Sequence, residues 1–216
     1  MKGIYFDDIH SFYDLNLVLS KVDIPPAVPK ITMVDIPGGD GSVDLTEAFG
    51  EVKFKDRECT FTFTVFPYDD FEEKKREVNG LLNGKRCKIT LDKDPDYYWE
   101  GRLSINEYAS NKNLHQIVVG ATVAPYKVKQ EVTTVFAPNA LDGVRVVLYN
   151  GRKPVCPVIT ATENDLIHNG PDGNIYHQFS ETGDFIIPEL KLGFGENVFW
   201  VTTTNGMTFT YQERDL

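Results

Sequence analysis

Apolar and polar residues alternate with a period of two along most of this 216-residue chain. The clearest case is Cys59–Phe66 (CTFTFTVF), where apolar side chains alternate with threonine. Successive side chains of a strand point to opposite faces, so this period indicates a strand with one buried face. Similar patterns predict strands at Leu15–Leu19, Ile31–Ile36, Arg86–Leu91, Tyr97–Leu103, Ile117–Val123, Val144–Tyr149, Pro157–Ala161, Asp184–Ile187 and Val198–Tyr211. The predicted fold class is therefore mainly β.

One short helix interrupts the strands, and its prediction depends on its ends. Asp70 can cap the amino terminus, and Glu73 follows three residues later as in a capping box. Gly84 is a suitable stop. The residues between them place Phe71, Lys75, Val78 and Leu82 on one stripe. A helix of about three turns is predicted over Phe71–Leu82.

A polar passage near residues 125–140 is bracketed by Pro125 and Pro138 and predicts a boundary between two domains. The region before it contains the predicted helix, and the region after it contains only strand and turn patterns. We expect an N-terminal β domain with one helix over residues 1–130 and a C-terminal β-sandwich over residues 131–216.

The pair Asn205-Gly206 is the preferred sequence for a two-residue type I′ turn. Such a turn predicts a terminal hairpin in which Trp200 lies opposite Tyr211. The heavier apolar face of this hairpin is then the predicted sandwich core, and it carries Trp200, Met207, Phe209 and Tyr211.

The chain is acidic, with 22 Lys and Arg against 32 Asp and Glu and a net charge of −10. Proteins that grip nucleic acid need clustered Lys and Arg, and anionic membranes attract the same residues. The composition therefore argues against both partners.

Residues 1–8 place two adjacent acids where a signal peptide needs an apolar run, and no stretch is long and apolar enough to span a membrane. We expect synthesis in the cytoplasm and no membrane segment.

No residue pattern carries catalytic or metal-binding chemistry. Asp92, Asp94 and Asp96 have the spacing that opens an EF-hand loop, but the sixth position is Tyr97 and the twelfth is Leu103 instead of Gly and Glu. We predict a solvated turn there. The histidines show no zinc-site spacing; they are His10, His115, His168 and His177. His168 and His177 lie in a stretch rich in Asn, Gly and Asp that predicts a loop with a turn at Gly170–Gly173, and surface imidazoles are expected. We expect no catalytic residue, no metal, no cofactor and no enzymatic activity.

The three cysteines are odd in number and widely spaced, which argues against a disulfide framework. Cys59 and Cys87 each alternate with apolar residues in a predicted strand. We therefore expect both to be buried thiols that act as small hydrophobic side chains.

Several segments, taken in chain order, resemble the distal tail proteins (Dit-like proteins) of long-tailed phages and prophages. The most specific is Val34–Phe49 (VDIPGGDGSVDLTEAF), because an IPG-x-DG-x-x-DLT pattern before an aromatic-rich strand is typical of the ring-forming domain of that family. A proline-rich passage, Ile24–Pro29, precedes it. Arg57 occupies the place of an arginine that precedes this strand in relatives. The C-terminal part, with Leu192–Asn197 (LGFGEN), resembles the family's galectin-like β-sandwich.

This resemblance implies a structural role in the phage tail tip, or baseplate. In the family, the N-terminal domain closes a hexameric ring that joins the tail tube protein to the tail-tip hub protein. The ring's periphery can carry receptor-binding proteins, and DNA passes through the ring without specific binding. The acidic balance also suits such a channel, since like charge repels phosphate. An extended, proline-rich arm can reach a neighbouring subunit, so the ring interface is predicted at Ile24, Pro25, Pro26, Val28, Pro29 and Ile31.

A second hypothesis is a sugar-binding β-sandwich protein that attaches to a host surface. Trp200 and Tyr97–Trp99 can stack on sugars, although the predicted core position of Trp200 favours a structural role. A third, a tail-associated hydrolase, is disfavoured by the missing catalytic motifs. The oligomeric state separates the first two hypotheses, because a ring favours the scaffold and a monomer with millimolar glycan affinity favours the sugar-binding protein.

Overall fold

The computed structural model describes residues 3–48, 50–65, 70–111, 114–168 and 175–216. The chain divides into two compact units, Met1–Lys127 and Val128–Leu216. Each unit has its own hydrophobic core. The fold is mainly β with one short helix among the described residues, which confirms the predicted fold class.

The N-terminal unit contains nine strands and one helix among its described residues before Lys127. Their bounds are β1 Ile4–Phe6, β2 Ile9–His10, β3 Leu17–Asp23, β4 Met33–Asp35, β5 Ser42–Asp44, β6 Arg57–Val65, α1 Phe71–Leu82, β7 Arg86–Leu91, β8 Asp94–Asn111 and β9 Leu114–Val123. Seven of the strands form an antiparallel sheet in the order β2-β1-β7-β8-β9-β6-β3. Among the described strands, β4 and β5 pair only with each other.

The period-two prediction and the helix prediction are both confirmed in this unit. Alternate residues of β6, beginning at Arg57 and including Cys59, Phe61 and Phe63, are buried. Helix α1 begins after Asp70, whose Oδ1 accepts a hydrogen bond of 2.9 Å from the backbone N–H of Glu73. The buried residues of the helix are Phe71, Val78 and Leu82.

The acidic segment beginning at Asp92 forms the turn between β7 and β8, and β8 already begins at Asp94. Asp92 accepts a hydrogen bond from the backbone N–H of Gly3, and both its carboxylate oxygens lie 3.3 Å from His10 Nε2. His10 Nδ1 accepts from two further backbone N–H groups. The expected surface position of His10 is therefore wrong, because its side chain is buried. Its contact with Asp92 links β2 to the turn between β7 and β8.

The C-terminal unit is a β-sandwich whose core lies between two four-stranded sheets. The bounds of its strands are β10 Lys127–Lys129, β11 Thr133–Ala137, β12 Ala140–Asn150, β13 Val158–Ala161, β14 Leu166–His168, β15 Ile175–Gln178, β16 Gly183–Ile186, β17 Gly195–Thr203, β18 Met207–Tyr211 and β19 Arg214–Asp215. One sheet has the order β11-β18-β13-β16 and the other has the order β12-β17-β14-β15. Strand β10 pairs with β19.

The passage predicted to join the two domains is not a polar linker. It contains β10 and β11, and β11 pairs with β18 along its whole length, from Thr133 opposite Tyr211 to Ala137 opposite Met207. Pro138 follows β11 and does not interrupt it. Strand β11 has one exposed side, because Thr134 and Phe136 are exposed whereas Ala137 is buried.

The predicted terminal hairpin is wrong. Strand β17 pairs with β12 and β14, whereas β18 pairs with β11 and β13, so the chain changes sheet at Asn205-Gly206. Met207, Phe209 and Tyr211 face the core as predicted. Trp200 does not: on β17 the core-facing positions are Phe199, Val201 and Thr203. The sequence pair indicates a sharp change of chain direction but carries no information about whether the flanking strands hydrogen-bond to each other.

Replacing Gly206 with alanine should destabilise the C-terminal unit more than replacing Gly195. Both glycines have a positive φ, +90° and +85° respectively, which costs an alanine about 1 kcal/mol. A Cβ at Gly206 would also overlap the tip of the Phe136 ring and lie 3.1 Å from the carbonyl oxygen of Ala137, whereas a Cβ at Gly195 meets no described atom within 4 Å. Phe136 is exposed and its ring can move aside, but the backbone contact remains. We expect Gly206→Ala to lower the free energy of unfolding by about 2 kcal/mol and Gly195→Ala by about 1 kcal/mol, measured by urea denaturation. Equal losses would contradict the close approach of the Ala137 carbonyl.

Candidate functional site

The described residues contain no group of three or more His, Cys, Asp or Glu side chains that could hold a metal ion. Among the same residues, no helix is long and apolar enough to cross a membrane. His168 and His177 lie in strands β14 and β15 and not in loops, which corrects the sequence expectation. The Gly170–Gly173 turn predicted from the sequence lies outside the described residues.

The cysteine predictions are confirmed for the two strand positions. Cys59 and Cys87 are buried free thiols, and burial raises the pKa of each to about 11. Because the thiolate is the reactive form, neither side chain has the character of a nucleophile near neutral pH. Cys156 is half-buried, and its Sγ lies 3.7 Å from the carbonyl oxygen of Pro188.

A groove of about 480 Å³ lies on the N-terminal unit along strands β7, β8 and β9. Its charged lining residues are Asp56, Arg86, Glu100 and Arg102, so positive and negative charges are equal in number. Arg86 already pairs with Glu100 at 3.1 Å, and Arg102 donates to the carbonyl oxygen of Gly84 at 2.7 Å. The groove therefore carries no excess of either charge that would select an ionic ligand.

The most distinctive surface is an arm formed by residues 24–56, which connect β3 to β6. These two strands are adjacent in the sheet, so the arm leaves and re-enters the fold at one place. Its base is a ladder: Lys30 N–H donates to the carbonyl oxygen of Lys53 at 2.7 Å, and Lys55 N–H donates to that of Val28 at 2.8 Å. A bridge between Pro29 and Phe54 lies within the ladder.

The outer part of the arm is the β4–β5 hairpin, in which Val34 lies directly opposite Val43. Ile36 and Leu45 lie just beyond the ends of β4 and β5, two residues after Val34 and Val43, and with them make up the exposed apolar surface of the hairpin. Their exposed fractions are 44% for Val34, 43% for Val43, 54% for Ile36 and 38% for Leu45. An isolated two-stranded hairpin is marginal in water because it cannot bury an apolar face. This face, the arm face, is therefore suited to contact with another protein surface.

The charged side chains in the outer part of the arm are all acidic. Residues 31–51 contain five acids and no Lys or Arg: Asp35, Asp40, Asp44, Glu47 and Glu51. Hydrogen bonds from the Thr46 hydroxyl and backbone N–H lower the pKa of Asp44, so its carboxylate remains ionised at neutral pH. Such charges keep exposed strands apart in solution and restrict the arm to a partner surface that tolerates negative charge.

The structure places the predicted interface residues on the arm's base. Ile24 packs against the core of its own unit, whereas Val28 and Ile31 are 53% and 64% exposed. Pro25 and Pro29 are half-buried, and Pro26 is exposed.

Sequence reasoning missed the arm face at the tip. The signal was available in the Ile31–Ile36 alternation and the glycine-rich turn that follows it, but exposure on both sides of a strand cannot be derived from the alternation itself.

Arg57 lies where the arm re-enters the sheet, at the first position of β6. Its side chain is only 7% exposed, and its Nε has no hydrogen-bond partner among the described residues. Burial lowers the pKa of this guanidinium. Its aliphatic stem continues the buried row of Cys59 and Phe61, so Arg57 closes the core at the root of the arm.

Comparison with known proteins finds a similar fold and no sequence family. No family model and no curated protein matches the sequence. The fold is similar to the crystal structure of SPP1 Dit (gp 19.1), described as a paradigm of the hub adsorption apparatus in phages that infect Gram-positive bacteria. The TM-score is 0.70 over 100% of both chains, with 15% sequence identity. The chain therefore has a Dit-like fold over its whole length, which confirms the resemblance noted in the sequence at the level of the fold.

The thiol chemistry can be tested directly. A thiol whose pKa is about 11 is roughly 0.1% thiolate near pH 8, so Cys59 and Cys87 should not react with Ellman's reagent in the folded protein. We expect at most one fast-reacting thiol per folded chain, Cys156, and three in denaturant. Fast reaction of two or three thiols in the folded protein would contradict the buried positions of β6 and β7.

Proposed function

We propose that this chain is a distal tail protein, a structural component of a phage tail tip. Six copies form a ring that joins the tail tube protein to the tail-tip hub protein, and the periphery of the ring can carry receptor-binding proteins. The observation that carries the proposal is the likeness to SPP1 Dit over the full length of both chains. The protein is made in the host cytoplasm and resides in the virion.

The arm supplies a physical reason for assembly. A contact in which one surface of a subunit binds a different surface of the next is heterologous, and only such a contact closes into a ring of six. The arm face is apolar and exposed, and it leaves the sheet from a fixed base, so it can reach a different surface on a neighbouring copy. In this proposal the arm face and the base residues Val28 and Ile31 form one half of the ring contact.

The charge of the chain fits a passage for DNA. The net charge is −10, and the arm contributes five acids over residues 31–51. A ring with negative charge near its channel repels phosphate, so DNA slides through without specific binding.

The proposed partners also predict the genomic setting. The gene should lie downstream of a tape-measure gene and upstream of a gene for a tail-tip hub protein. A gene neighbourhood with neither would count against the proposal independently of any assembly assay.

Replacing Val34 and Val43 together with serine should abolish rings while leaving the monomer folded. Both side chains are more than 40% exposed, so loss of this cross-strand pair should lower the free energy of unfolding by only about 1 kcal/mol and leave the core of the unit intact. Rings of six should appear for the unmodified chain by negative-stain electron microscopy, at high protein concentration or after mixing with the hub protein. The double variant should remain monomeric under both conditions.

The matched control is Leu81→Ser, which removes a side chain of similar exposure, 41%, from helix α1 of the same unit. This control should assemble normally. Rings that survive the double variant would contradict the role of the arm. Monomers alone, from a folded unmodified chain under both conditions, would contradict the ring and favour the sugar-binding hypothesis.

A further inference from the structure

The outer face of the sheet β12-β17-β14-β15 carries an indole that sequence reasoning assigned to the core. Phe199, Val201 and Thr203 of β17 face inward, so Trp200 points to the other side of the sheet and is half-buried there. Its direct neighbours in the strand register are Arg145 on β12 and His168 on β14. Trp200 is thus flanked on both sides by polar side chains.

The polar neighbours are held in place by hydrogen bonds. Arg145 Nη2 donates to Glu196 Oε1 at 2.8 Å, and both side chains are about half exposed. His168 Nε2 and Thr202 Oγ1 lie 3.1 Å apart. These hydrogen bonds favour one orientation of the donors and acceptors beside the Trp200 ring, which lowers the side-chain entropy lost when a ligand binds.

An exposed tyrosine extends the same face. Tyr149 lies opposite Glu196 in the register, is 61% exposed and has its carbonyl oxygen fixed by the hydroxyl of Tyr211 at 2.6 Å. We call this face the Trp200 patch; it comprises Arg145, Tyr149, His168, Glu196, Trp200 and Thr202. Thr202 and Glu196 are six residues apart on β17, so the patch is about 20 Å long.

The charges of the patch select against ionic ligands. The cation Arg145 is neutralised by the anion Glu196, so a phosphate or a carboxylate finds no free positive charge there. An uncharged ligand with many hydroxyl groups fits better, because each hydroxyl both donates and accepts a hydrogen bond. A guanidinium beside a carboxylate offers one donor and one acceptor side by side, and the His168–Thr202 pair does the same.

We propose that the Trp200 patch binds neutral pyranosides of a cell-surface glycan. The apolar C–H face of a pyranose packs on the Trp200 ring, and its hydroxyl groups bond to the Arg145–Glu196 and His168–Thr202 pairs. Tyr149 provides a second aromatic surface for a longer saccharide. This site lies wholly within the C-terminal unit and does not require the ring.

Trp200 fluorescence provides a direct readout. The chain has two tryptophans, and the other, Trp99, is 7% exposed with an indole N–H that has no partner among the described residues. Trp99→Phe therefore loses no hydrogen bond and leaves Trp200 as the one indole reporter. Titration of this variant with the methyl glycosides of glucose, galactose, N-acetylglucosamine and rhamnose at millimolar concentration should change Trp200 emission for at least one of them.

Side-chain variants then distinguish specific binding at the Trp200 patch from nonspecific contact with the saccharide. In saturation-transfer NMR on the otherwise unmodified chain, Trp200→Ala and Glu196→Gln should each weaken binding by about tenfold or more. Ile186→Ala, which alters a 63% exposed side chain on the opposite sheet, should bind like the unmodified chain. The Val34→Ser, Val43→Ser double variant should also keep full saccharide binding, so failure of the ring and failure of this site are distinguishable.

Two outcomes would overturn the proposal. The first is the absence of any emission change and any saturation transfer with all four glycosides in folded protein. The second is binding that persists in Trp200→Ala. Because saturation transfer does not depend on tryptophan, a folding defect of Trp99→Phe leaves the test intact.

Discussion

The N-terminal unit depends on strand β9, which pairs along nearly its whole length with β6 on one side and β8 on the other. Its alternate residues Ile117, Val119, Ala121 and Val123 are almost completely buried. Because β6 is fixed by β9 and in turn pairs with β3, the two ends of the arm are held at adjacent positions of one sheet. The arm therefore leaves the sheet from two paired strands, and the apolar side chains of its hairpin remain exposed.

Much of this fold could be predicted where the signal is local. The alternation of Cys59–Phe66 predicted β6, and Asp70 with Glu73 predicted the first turn of α1, because burial and capping are properties of nearby residues. Asn205-Gly206 failed as a hairpin signal because the partner of β17 is set by packing of distant strands. His10 failed for the same reason: its burial depends on Asp92, which is 82 residues away in sequence.

The candidate surfaces divide in the same way, into features that local sequence predicts and features that the packing of distant strands decides. The proline-rich passage marked the arm's base in the sequence, since prolines disfavour a regular sheet and favour an extended chain. The sequence did not predict an interface at the apolar tip, because valines such as Val34 and Val43 are also the usual residues of core strands. Their exposure depends on the hairpin leaving the sheet. Trp200 was assigned to the wrong side because a single incorrect strand pairing reverses which alternate residues are buried.

A modest contact is sufficient for the proposed ring. The arm face offers four aliphatic side chains, and each is already partly covered, so one arm contact gains little free energy by itself. In an open chain of subunits, every added contact must offset the loss of translational and rotational freedom. The contact that closes the ring joins two ends that are already linked, so it pays almost none of that cost. Closure therefore makes the complete ring far more stable than its open intermediates, and an arm that is weak in a dimer can be decisive in a closed hexamer.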